Sequence, residues 1–211
     1  MYPEVNSEIF NPGLSLRVVD LTKAIQIDDG VIVEDFDEAN RLHQDGYGVF
    51  HQRRLRLTPC EALYLLDRGR IEVYDEDGGR LSFQELLHRL STPRRFRGGL
   101  SALFRRLLGR PQTPTPLWIR YLVYRDLRVK GYVVREEDGR LLVYERGSYP
   151  RAPPSYEVHP LWEGEPQPIR RLMDALKRAE EAGRVVKIAV VDRRGEVVYY
   201  TLREMDFSGG S

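Results

Sequence analysis

Between Pro93 and Pro116 the chain changes character: Pro93, Gly98, Gly99, Gly109, Pro111, Pro114 and Pro116 surround a short apolar patch, Leu100, Leu103, Phe104, Leu107 and Leu108. So many breakers do not belong inside a helix or strand, which makes residues 93–116 a linker. It divides the 211 residues into two lengths, and small domains of roughly 80–110 residues fold without staples. The expected organisation is an N-terminal arm over 1–30, a small domain over 31–92, the linker, a second domain over 117–207 and a flexible tail over 208–211. Within RVVDLTKAIQI the arm could pair as an irregular strand.

Helix punctuation is clear in the first domain. Asp35 is placed to cap FDEANRLHQDG, with Phe36, Ala39 and Leu42 inward and Gly46 as the stop. Thr58 and Glu61 have capping-box spacing around Pro59, and Ser82 with Glu85 repeats it after the strand IEVY and the acidic glycine turn. In the second domain Thr115 is the expected cap of a helix from Leu117 to Lys130. A hairpin follows around Asp138-Gly139, then a strand SYEVHPLW, a helix opened by Pro168, and two strands in VVKIAVVDRRGEVVYYTL. This order predicts an α+β chain of two small mixed domains, with helices on a largely antiparallel sheet.

Several chemistries are excluded. Cys60 is the single cysteine, so no internal disulfide forms; an intracellular, cytoplasmic protein is expected, with Cys60 buried. His43, His51, His88 and His159 lie too far apart in sequence for a metal cluster, and neither a P-loop nor a serine elbow is present, so no metal or cofactor is expected. No apolar stretch approaches the roughly 20 residues a membrane span needs, and MYPEVNSEIF reads as neither signal nor anchor. Lys and Arg total 33 against 32 Asp and Glu, so only the distribution of charge bears on nucleic acid. Six arginines and no acids lie between Arg94 and Arg110; Arg105 and Arg106 are either phosphate contacts or a solvated face. Scarce Asn and Gln beside abundant Arg and Glu suggest a thermophile.

The segments WIRYLVYRDLRVKGYVV, RLLVYERG, PPSYEVHP and KIAVVDRRGEVVYYTL, together with TPCEALYLLDRGRIEV upstream, carry a resemblance. Together they resemble the archaeal tRNA-splicing (tRNA-intron) endonuclease family. The resemblance implies a restriction-endonuclease-like C-terminal domain. It also implies metal-independent RNA cleavage by a tyrosine, a histidine and a lysine, leaving a 2′,3′-cyclic phosphate and a 5′-hydroxyl. Such chemistry needs a base, an acid and a cation for the phosphorane.

Carried onto this chain, the tyrosine falls on Tyr144. The histidine of a His-small-x-Tyr-x-Val pattern falls on Pro153, and the lysine on Val185 or Arg184. Lys187 stands inside the strand and His159 six residues after the acid's place, so neither fits. Prolyl side chains donate no proton. The expectation is therefore a noncatalytic, structural subunit of a heteromeric enzyme, two such chains with two catalytic ones, acting on precursor tRNA at bulge-helix-bulge sites. The resemblance places RNA contact near Lys177 and Arg178. It places subunit association at the turn Asp192 to Glu196 and the strand Val197, Val198, Tyr199 and Tyr200. Two rivals stand beside this reading: a self-sufficient nuclease using His159, and an RNA- or protein-binding module with the same fold.

Overall fold

The computed structural model describes residues 21–27, 30–91 and 115–204. Arg105, Arg106 and the rest of the arginine-rich linker, most of the arm and the tail lie outside them. The first half is a mixed sheet in the order β3-β4-β2-β1-β5-β6, built from Thr22–Ile27 (β1), Gly30–Val33 (β2), Val49–His51 (β3), Arg54–Leu57 (β4), Ile71–Tyr74 (β5) and Arg80–Leu81 (β6). Helices Phe36–Gln44 (α1), Pro59–Asp67 (α2) and Phe83–Ser91 (α3) complete it. The second half opens with Leu117–Val129 (α4). Its sheet has the order β11-β10-β9-β8-β7, from Val133–Glu137, Arg140–Tyr144, Tyr156–Trp162, Val185–Val191 and Val197–Thr201 (β7 to β11), with Ile169–Glu181 (α5) between β9 and β10. No described helix is long and apolar enough to cross a membrane.

Local chemistry explains the helix starts. Asp35 accepts from the Glu38 N–H at 2.9 Å. Thr58 and Glu61 form the reciprocal capping box, and Ser82 and Glu85 repeat it at 2.8 and 3.3 Å. Each such cap satisfies N–H groups that the first helical turn leaves without a partner.

Three expectations are corrected, and one hairpin was not foreseen. Thr22–Ile27, assigned to an arm, is central in its sheet, parallel to β5 and antiparallel to β2; Lys23 and Gln26 interrupt its apolar pattern. The hairpin β3–β4 had no glycine-asparagine signal, because its turn is made by Gln52 and Arg53 with positive φ. Phe36 is 47% exposed, its ring lying against Phe50 at 6.2 Å. Thr115 does not cap α4: Pro116 occupies the N-cap, and the Thr115 hydroxyl donates to the Pro160 carbonyl at 3.1 Å. The C-terminal sheet is mixed and largely antiparallel as expected, with only β9 and β10 running parallel.

The two halves share one apolar cluster running from Leu63 and Leu65 of α2 to Tyr121, Leu122 and Tyr124 of α4 and on to Val143 and Val158 of the second sheet. Polar groups seal the seam. Arg120 Nε lies 2.9 Å from Glu136 Oε1, and the other oxygen of Glu136 accepts from the Cys60 N–H at 3.2 Å. The Arg128 guanidinium sits 4.0 Å from the Tyr47 ring centroid. At Gly46, φ +82, a Cβ would come within 2.6 Å of Val133 Cγ1, so glycine permits both the helix end and the close approach of the two halves. α4 and α5 cover opposite faces of the second sheet: Val143 and Val158 face α4, while Val186 and Ile188 pack with Leu176 and Ala179 of α5.

Candidate functional site

Three separated positions meet at one end of the C-terminal sheet. The Ser155 N–H donates to the Val143 carbonyl at 2.9 Å, and the Ser155 carbonyl accepts from the Val185 N–H, also at 2.9 Å. These two bonds bring together Tyr144 at the end of β8, the loop carrying Pro153, and Arg184 just before β10. Tyr144 is half-buried, its ring edge-on to Tyr149 at 5.0 Å. Burial, more than any neighbouring charge, pushes its hydroxyl pKa up. Pro153 is exposed, and Val185 is 42% exposed at the start of its strand.

Arg184 does not point out of this site. Its Nη2 lies 3.3 Å from Oε2 of Glu157, a side chain with no exposure. The other oxygen of Glu157 takes Arg140 Nη1 at 3.3 Å and His159 Nε2 at 3.0 Å. Glu157 is thus a buried anion held by three partners, the arrangement that a carboxylate out of water requires. Nothing in the sequence reading singled out Glu157 or Arg140. The available signal was the alternation of Glu157, His159 and Leu161 along β9, which puts polar groups on the face that α5 partly covers.

His159 shares that face with Leu142 and Tyr144. The register pairs Leu142 with Glu157, so His159 and Tyr144 stand four residues apart along the strands, roughly 13 Å. Burial holds the imidazole below its ordinary pKa; Glu157 opposes this, and Arg171 and Arg178 add to it. Lys187 is on the opposite face, its Nζ donating to the Thr201 hydroxyl at 2.7 Å. It lines a cavity of about 190 Å³ with Tyr132, Tyr156 and Tyr199. Lys177 and Arg178 are exposed on α5, and Arg178 lines a pocket with Arg140, Arg171 and His159.

At the far edge, β11 is an outer strand with Val198 and Tyr200 50% and 58% exposed. Tyr199 turns inward and donates to Asp126 at 2.6 Å. Leu202 donates to Val186, so the bonded pairs are Tyr200 with Ile188 and Val198 with Val190; the N–H and C=O of Val197, Tyr199 and Thr201 face outward. In the preceding turn the Asp192 carboxylate accepts from the Arg194 and Glu196 N–H groups at 2.8 and 2.9 Å, while Glu196 is exposed.

Comparison with known proteins matches both halves. Residues 22–87 match the model of the tRNA intron endonuclease N-terminal domain, and residues 117–199 that of the tRNA intron endonuclease catalytic C-terminal domain. A tRNA-splicing endonuclease of Methanococcus vannielii is 32% identical over 180 residues, covering 83% of this chain and 89% of the relative. One from Hyperthermus butylicus is 33% identical over 141 residues, covering 60% and 67%. Against the Methanosarcina acetivorans enzyme the identity is 28% over 180 residues, covering 84% of this chain and 45% of the relative.

Proposed function

The chain belongs to the tRNA intron endonuclease family, and we propose that within it the chain is a noncatalytic, architectural subunit. The observation that carries this reading is the state of the three positions that meet around Ser155. Intramolecular attack of a ribose 2′-hydroxyl needs a base, an acid for the leaving 5′-oxygen and a cation for the phosphorane. Position 153 is a proline. The cation at position 184 is committed to the buried Glu157. Tyr144 keeps its hydroxyl, but burial favours its protonated form and so leaves less tyrosinate to act as a base.

What the chain offers an assembly is an edge. Outward N–H and C=O groups on β11, flanked by exposed Val198 and Tyr200, invite strand addition by another subunit, and an edge of this kind left bare is an aggregation hazard. The partner is a catalytic subunit retaining histidine and lysine, in a two-plus-two assembly in the cytoplasm, and the substrate is precursor tRNA with bulge-helix-bulge sites. Glu196, exposed beside the strand, supports the same association, whereas Asp192 is occupied in closing its own turn. Lys177 and Arg178, exposed on α5, are placed to meet RNA phosphates.

The test is reconstitution. The purified chain is assayed on a bulged precursor tRNA alone and after mixing with a homologue that keeps both residues. The expected result is no cleavage alone and cleavage by the mixture with both chains in one complex. Cleavage by this chain alone, abolished by His159→Ala, would establish a self-sufficient nuclease instead.

A further inference from the structure

On the α5 side of the second sheet, cations from three elements line one pocket of about 270 Å³. They are Arg140 at the start of β8, His159 in the middle of β9, and Arg171 and Arg178 of α5, with Asp138 and Gly139 of the β7–β8 turn completing the wall. The strands that supply them, β8 and β9, are separated from β11 by β10. Association through β11 and the turn before it therefore does not draw on these residues.

These cations stand where the fold gains little from them. Arg171 lies in the first turn of α5, where the positive end of the helix dipole disfavours a cation, and that turn holds no acid to offset it. Among the described residues neither Arg171 nor Arg178 forms an ion pair. The Arg140 Nε is buried without a hydrogen-bond partner. The His159 imidazole, held below its ordinary pKa first by burial, is pressed further down by Arg171 and Arg178. Against three guanidinium groups the lining offers one carboxylate, Asp138, exposed in its turn. Glu157 lies beside them with its charge already divided among Arg140, His159 and Arg184. Arginine forks match phosphate oxygens and keep their charge at any working pH. Arg171 and Arg178 are two helical turns apart on one face, roughly 10 Å, so the cations form a row, as the successive phosphates of a strand do.

We infer that this pocket takes the backbone phosphates of an RNA strand, held by Arg140, Arg171 and Arg178 with the His159 imidazole beside them. The inference rests on the reading of the chain as part of an RNA-processing assembly. To the exposed face of α5 it adds an inward grip built on β8 and β9. His159 stands roughly 13 Å along the strands from Tyr144, so the grip positions RNA without taking part in cleavage. Phosphate contacts of this kind fix register and carry no base sequence.

The probe is a fluorescently labelled bulge-helix-bulge RNA, titrated with the full chain and followed by anisotropy across a salt series. Saturable binding at low salt is expected. Arg171→Gln should lower the slope of log affinity against log salt by about 0.7–0.9, the share of one neutralised phosphate. Arg171→Lys keeps the charge and should restore the slope. Neither change removes an ion pair, so both variants should melt near the wild-type temperature. Inorganic phosphate exchanged for chloride at equal ionic strength should leave the Arg171 effect in place; if it erases the effect, the pocket holds free phosphate and the assignment to a strand fails. No binding at low salt, or a slope that Arg171→Gln leaves unchanged, would overturn the inference. So would an Arg171→Gln chain that binds RNA as before but no longer co-elutes with the catalytic homologue, which would make the pocket a protein-docking face. A slope lowered by Lys177→Gln and not by Arg171→Gln keeps RNA on the outer face of α5 and sinks this inference alone. Reconstituted cleavage is read separately, so its outcome bears on the architectural role and not on this pocket.

Discussion

Arg184 Nη2 lies 3.3 Å from Oε2 of Glu157, and that contact commits to a buried carboxylate the cation whose neighbour Val185 bonds to Ser155 beside the Pro153 loop. Glu157 is the hub of this cluster because Arg140 and His159 share its other oxygen. Glu157→Ala strands two guanidinium groups that are 17% and 21% exposed, and removing one partner of a buried pair costs about 3–5 kcal/mol. Arg184→Ala should cost less, since Glu157 keeps Arg140 and His159. Urea denaturation of the two variants compares them; equal losses would show that Glu157 is not the hub.

Pro153→His returns an imidazole to the loop but changes nothing at Glu157. A positioned general acid is worth roughly 10²–10⁴-fold, yet its effect requires a deprotonated nucleophile and a stabilised phosphorane. The expected result for the variant alone, on a bulged precursor tRNA, is no gain of that order. A gain of that size would mean that the remaining machinery is intact and that position 153 is the whole defect.

The seam between the halves predicts a second large effect. Glu136, with 7% of its side chain exposed, faces Arg120 at 2.9 Å, and the same carboxylate takes the Cys60 N–H. Arg120 also donates to the Thr115 carbonyl at 2.8 Å. Glu136→Ala strips a buried cation and a backbone donor of their partner, so a loss of about 3–5 kcal/mol is expected. A lowered midpoint with unchanged denaturant slope would report lost stability; a second transition would report that the halves have separated.

Local signals carried much of this fold. Caps at Asp35, Thr58 and Ser82 were legible because a short polar side chain three residues ahead of an acid has one favourable use. The hairpin at Asp138-Gly139 was legible for the same kind of reason. Phe36 was not, because helical periodicity assigns a face but not what covers it. β1 was hidden by Lys23 and Gln26, which fall on opposite faces of the strand and so break its apolar pattern on both. At the site, Tyr144, Pro153 and Arg184 could be named from sequence. That Arg184 turns inward could not, since it depends on Glu157, whose neighbours come from β8, β9 and the start of β10.

Acid should weaken the fold through His159. Burial holds its folded pKa below the ordinary 6.5, so below that value the unfolded chain takes up the proton first. The contribution is intact above about 6.5 and is lost progressively as pH falls toward the depressed folded value. Urea midpoints measured on the two sides of this window should fall on the acid side in the wild type and fall less in His159→Gln. An equal decline in both would assign the acid sensitivity to other groups.

The edge strand supplies a test of assembly that leaves the monomer intact. Thr201 is exposed, and its N–H points away from β10, because the bonded pair beside it is Leu202 with Val186. Proline is tolerated where the missing N–H would have faced outward, so Thr201→Pro should remove one donor from the open edge and change the stability of the isolated chain little. The substitution also takes away the hydroxyl that receives Lys187, an exposed contact of small worth. If another subunit adds its strand here, the variant should fail to co-elute with the catalytic homologue in size-exclusion chromatography while melting near the wild-type temperature. Undiminished co-elution would move the association surface away from β11.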